Sequence, residues 1–220
     1  MKTKFRSIRL LMCILFSMSA LLGSASAPMD ETYWARQLQE QGKMNLPMDA
    51  ILQSKWTSCG EAAVTMAYNY AYPETQITEA DVIEYATSEG YYTERRRPFT
   101  SPDDMVNIAE YYAADTVSTG AVTSADEGLA FLTEKLTDGH PVIIDIFARL
   151  DDPSSGAHFV VVTGLAVDPK NPNATKIYFN DPLMGKNRWG SWNGGDGVWN
   201  AWQNNNDPGG SGWWMIISSP

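Results

Sequence analysis

The sequence predicts an α+β fold, helical in its N-terminal part and closed by a C-terminal antiparallel sheet. Two observations predict it. From Ser58 to Asp138, apolar residues recur at helical spacing behind recognisable caps; after Gly139 the pattern changes to β-branched apolar runs of strand length. Helices grouped before strands mark α+β architecture.

The elements follow in chain order. Lys2, Lys4, Arg6 and Arg9 precede an apolar stretch, Leu10 to Leu22, and then the small residues Gly23 to Ala27. That is the pattern of a secretory signal, too short for a comfortable membrane span, and cleavage is expected after Ala25. Residues 26–50 read as an N-terminal arm or short propeptide, with helical composition from Glu31 to Gln41 stopped by Gly42 and Pro47. Residues 51–220 are expected to form one domain, long enough to bury a sizeable core.

Within that domain, Cys59 stands in the first turn of an amphipathic helix whose Ala62, Ala63, Met66, Ala67 and Tyr70 face a core. Ser58 and Glu61 have the spacing of a capping box. Thr78 opens a helix to about Glu89, with Gly90 beyond its end. Ser101, followed by Pro102 in the first helical position, opens another to about Tyr112. Ser124 with Glu127 repeats the box and starts a helix ending before Gly139. Arg95-Arg96-Arg97-Pro98 reads as a solvated loop.

Four strands are expected: Pro141 to Ala148, His158 to Ala166, Lys176 to Asn180 and Trp213 to Ser218. A polar connection, Asp151 to Gly156, joins the first two as a hairpin. The stretch from Gly185 to Gly212 is rich in Trp, Asn and Gly. Its tryptophans are read as packing a loop-rich edge of the domain, with a sugar-stacking surface as the other reading.

Composition excludes several function classes. Without residues 1–25 the chain carries 12 basic and 26 acidic residues, a net charge of −14. That balance argues against nucleic acid and against an anionic membrane surface as partners. Of the two cysteines, Cys13 lies in the signal, so the exported form keeps Cys59 as a single thiol and forms no internal disulfide. Two histidines and one cysteine, widely spaced, make no metal-ligand cluster, and no cofactor is expected.

The chemistry therefore centres on Cys59. A thiol at a helix start faces free backbone donors and the positive end of the dipole, which favours a thiolate. Gln53, six residues upstream, has an amide able to reach an oxyanion beside the sulfur. A base is needed. His140 sits in a helix-to-strand turn, whereas His158 opens a buried strand where its ring can be held and aimed, so His158 is the better candidate. At the end of the next strand, either Asn180 or Asp181 is placed to accept from that ring.

The order Gln53, Cys59-Gly60, His158, Asp181-Pro182 resembles the papain-like cysteine peptidases. The likeness is strongest to the branch related to bacteriocin-leader (double-glycine) peptidases, the peptidase C39-like domains. It extends to Gly139-His140-Pro141-Val142, to the strand His158 to Gly164, and to the Asp-Pro strand end, spanning about Leu52 to Leu183. The resemblance implies a papain-like fold with Cys59 as nucleophile and His158 as general base and acid. It also implies Asp181 as the residue orienting the ring, and Gln53 with the Cys59 N–H as oxyanion donors.

Two features depart from the branch: the export signal, and the Gly185 to Gly212 segment. The expected activity is hydrolysis of peptide bonds in a peptide or protein substrate by an exported enzyme, secreted, periplasmic or held at the cell surface. Acyl transfer through the same thioester, or a silent binding module using the tryptophans, are the alternatives.

Overall fold

The computed structural model describes residues 31–219 except 169, 172 and 173. The expected export signal thus lies outside the described residues. The chain forms α1 (Glu31–Gln41), β1 (Lys43–Asn45), α2 (Cys59–Ala71), α3 (Glu79–Glu89), α4 (Pro102–Ala113), β2 (Val117–Ala121) and α5 (Ala125–Thr137). Then follow β3 (Val142–Arg149), β4 (Asp152–Ala166), β5 (Lys176–Asp181), β6 (Gly185–Ser191), α6 (Val198–Gln203) and β7 (Trp213–Ile217). The fold is α+β as expected.

All strand pairs are antiparallel. The sheet order is β2-β7-β3-β4-β5-β6, and β1 pairs with the far end of β4, Lys43 opposite Ala166. Side chains alternate across β3 and β4 and so feed two cores. Val142, Ile144, Val160 and Val162 meet α1, α5 and α6 on one face; Ile143, Phe159 and Val161 meet α2, α3 and α4 on the other. A sheet covered on both faces explains why these strands read as continuous apolar runs rather than alternating ones.

The helix starts sort into true and apparent caps. Thr78 and Asp81 form a reciprocal capping box on α3, and Ser101 and Asp104 do so on α4, with Pro102 in the first position. At α5 the Ser124 hydroxyl accepts from the Glu127 N–H, but the Glu127 carboxylate accepts from the N–H and hydroxyl of Thr123 instead. The box expected at Ser58 and Glu61 does not form. Ser58 donates its hydroxyl to Glu79 (2.6 Å), and Glu61 is fully buried, accepting from the Thr100 hydroxyl at 2.6 Å. Tertiary partners outcompete the local cap.

Two other expectations change. The β3–β4 turn is tighter than anticipated: Arg149 is already opposite Asp152, so residues 152–156 belong to β4 and His158 lies within the strand rather than opening it. Polar side chains at an exposed hairpin end do not prevent backbone pairing. The Trp-rich segment is ordered structure, containing β6 and α6. Trp192 and Trp202 are buried in the core under α5, where Gly128 of α5 packs closely: a Cβ there would lie 3.1 Å from Trp199 and 3.2 Å from Trp192. Packing is thus the role of those two rings, and Trp189 alone of the segment's tryptophans is largely exposed. Among the described residues no helix is long and apolar enough to cross a membrane.

Candidate active site

The site assembles where the start of α2 meets the middle of β4 and the end of β5. Cys59 is the first residue of α2, half-buried, and the only cysteine among the described residues. Its backbone N–H belongs to the first helical turn, where no intrahelical acceptor exists. Gly60 permits the close crossing of α2 over α4: a Cβ there would stand 2.6 Å from the Met105 sulfur.

His158 reaches this point from β4. Its Nε2 hydrogen-bonds to Asp181 Oδ1 at 2.8 Å, and the Cys59 side chain lies close enough to favour the charged form of the ring. The imidazole is therefore held between the carboxylate and the thiol. Burial works against a charged ring, but the hydrogen bond and charge of Asp181 and the nearby Cys59 side chain outweigh it and push its pKa from 6.5 up to about 10. Asp181 loses hydration by burial, which favours its neutral form. The His158 partner and the backbone N–H groups of Leu183 and Met184 overcome this and hold it below the usual carboxylate range. The Leu183 N–H donates to Asp181 Oδ1 at 2.8 Å.

The choice between Asn180 and Asp181 is decided by partners. Asn180 is buried elsewhere, donating to the Met48 carbonyl and accepting from the Asn187 N–H, so Asp181 is the residue that meets the ring. His140 stays at the turn after α5, half-exposed. Gln53 is carried to the β5 end by its backbone N–H, which donates to the Pro182 carbonyl at 2.9 Å. Its side-chain amide donates to the Lys55 carbonyl at 2.7 Å, which occupies one amide hydrogen and leaves the second.

One anchor of the site was not anticipated from the sequence. Glu79, at the start of α3 and buried, accepts from the Ser54 N–H with both oxygens (2.9 and 3.0 Å) and from the Ser58 hydroxyl at 2.6 Å. It ties down both ends of the loop between Gln53 and Cys59. In the sequence it reads as an acidic residue in a helix first turn, which α3 would welcome anyway. Among the described residues no group of three or more His, Cys, Asp or Glu is arranged to hold a metal ion.

Residues 45–206 match the model of the Peptidase_C39 like family. The chain belongs to that family. Its fold is similar to a crystal structure from Bacillus anthracis assigned as a C39-like peptidase, with a TM-score of 0.57 at 15% identity. The match covers 80% of this chain and 98% of that one. No curated protein matches the sequence. The family match opens at β1 and runs to the end of α6 and the loop beyond, so most of the Trp-rich segment lies inside it.

Proposed function

We propose that the protein is an exported cysteine peptidase that cleaves peptide bonds through a thioester on Cys59. The observation that carries this reading is the single histidine ring held between Asp181 and the only described thiol. Cys59 sulfur attacks the scissile carbonyl carbon as the thiolate of a pair with His158, which is charged at neutral pH. The Cys59 N–H and the free amide hydrogen of Gln53 donate to the oxyanion, and each such donor lowers the barrier by about 3 kcal/mol. His158 then gives its proton to the departing amine as the C–N bond breaks. Water enters, loses a proton to His158, and releases the acid with the thiol restored.

Export rests on the basic and apolar pattern of residues 1–25 and places the reaction outside the cytoplasm, where the lone thiol must be kept from oxidation. The glycan-stacking alternative has little support, because Trp192 and Trp202 are used in the core.

Iodoacetamide tests the chemistry. It is expected to alkylate Cys59, with loss of peptide cleavage in step, and His158→Ala should slow both at neutral pH. Cleavage that persists after complete alkylation would contradict the proposal.

A further inference from the structure

The cavity beside Cys59 holds charges that bond cleavage does not use. Its lining joins Cys59, Gly60 and Phe159 to Arg97 and Asp207. Arg97 and Asp207 also line an adjoining cavity of about 270 Å³, so a groove runs from the thiol between them.

The two charges are not equivalent. Arg97 is exposed, its guanidinium lying against Gly156, and among the described residues it has no ion-pair partner. A hydrated cation needs none. Asp207 is half-buried, and among the described residues its carboxylate has neither a hydrogen bond nor an ion pair. Burial pushes it above the usual carboxylate range even though the Arg97 charge acts the other way.

Asp145 stands behind it. This residue of β3 lies directly opposite Phe159, so its side chain shares the sheet face that floors the cavity. It is fully buried, its carboxylate oxygens have no well-formed hydrogen bond among the described residues, and only the backbone N–H and ring charge of His158 act to favour its charged form. Burial first, and the Asp207 charge second, hold it well above the ordinary range. Desolvated carboxylates short of donors are the costly members of such a site, and a solvated arginine is not. Asp207 is thus the half-buried charge in the groove that, among the described residues, still lacks a directly bonded partner.

We propose that the groove receives a cationic side chain of the substrate, lysine or arginine, which pairs with Asp207 with Asp145 behind it. This rests on the reading of Cys59 as a peptidase nucleophile and adds a substrate class to it. The incoming cation supplies the missing partner to Asp207. Arg97, at the rim, repels that cation and weakens the preference. A charged hydrogen bond of this kind gives about a tenfold to hundredfold discrimination.

Two arms test it. In the first, calorimetry measures binding of short amidated peptides, identical but for one Arg, Gln or Glu, to the Cys59→Ala protein. The Arg peptide should bind at least about tenfold more tightly. Asp207→Asn on that background should remove the difference, Asp207→Glu should retain it, and Arg97→Ala should widen it. Arginine binding no tighter than glutamine or glutamate, or a preference untouched by Asp207→Asn, overturns the proposal.

In the second arm, the intact protein is given the same three sequences as cleavable peptides. Cleavage without charge preference overturns the subsite while leaving the peptidase reading in place. Arginine-selective binding in the first arm with no cleavage in the second does the reverse.

Discussion

His158 is the residue on which the pH behaviour of the site turns. Its charge is stabilised by Asp181 and Cys59 against burial, with a pKa of about 10. Because leaving-group protonation needs the charged ring, kcat/KM should stay high through neutral pH and fall on an alkaline limb near 10. Asp181→Asn removes one of the charges that raise the ring, so that limb should move down toward the ordinary imidazole range, with a loss of rate; a pH–rate profile of both proteins checks it. A limb that does not move would mean that Asp181 does not set the ring's charge.

Glu79 makes a second residue-scale case. Glu79→Ala leaves the Ser54 N–H and Ser58 hydroxyl without their acceptor, at a cost of about 1–3 kcal/mol in stability. It should also lower kcat more than it raises KM, because the loop it holds leads directly into Cys59, the proposed nucleophile. Denaturant titration and steady-state kinetics give the two readings.

At the scale of elements, the Trp-rich segment divides sharply. Trp202 is fully buried on α6, its ring N–H donating to the Trp213 carbonyl at 2.6 Å, and Trp202→Ala should cost about 3–5 kcal/mol. Trp189, exposed on β6 with Lys176 over its ring, should cost less than about 1 kcal/mol when replaced by alanine. Thermal or urea unfolding of the two variants decides.

The same segment shows why part of the fold could be read from the chain and part could not. Helices α3, α4 and α5 announce themselves through side-chain caps, and β3, β4 and β7 through apolar runs buried on both faces. In contrast, β2 (Val-Ser-Thr-Gly-Ala) and β6 (Gly-Lys-Asn-Arg-Trp-Gly-Ser) lie at the sheet edges with mostly exposed side chains. Their pairing is a backbone matter that leaves little trace in composition. Cys59 and His158 were legible because the chain has only two cysteines and two histidines, and Asp181 because it ends the strand paired with that of His158. Glu79, Asp145 and Asp207 were not, since carboxylates are common here and only the fold shows which ones lose their water.

Over the whole molecule, buried acids and the charged histidine bias stability toward low pH. Glu61 is pushed to about 7, mainly by burial, with the Thr100 hydrogen bond opposing. A group with a raised folded-state pKa contributes stability that is full below its unfolded value and is lost as pH rises through the folded value. Glu61 loses its contribution between 4.5 and about 7, and His158 loses its own between 6.5 and about 10. Asp181, lowered on folding, acts oppositely: its contribution is present above 3.8 and disappears as pH falls below that. The melting temperature should therefore peak in mildly acidic solution and decline from about pH 5 to 10. Glu61→Gln should flatten the first part of that decline; a melting temperature that rises from pH 5 to 9 would contradict the assignment.

The architecture itself, a sheet clamped between two helical layers, serves to bring one helix start and two strands to a single point. What that point does is tested most directly by peptide cleavage, followed by mass spectrometry, in the protein and in Cys59→Ala. The account predicts cleavage by the first and a loss on the order of 10⁴-fold or more in the second. Equal cleavage by both would contradict it.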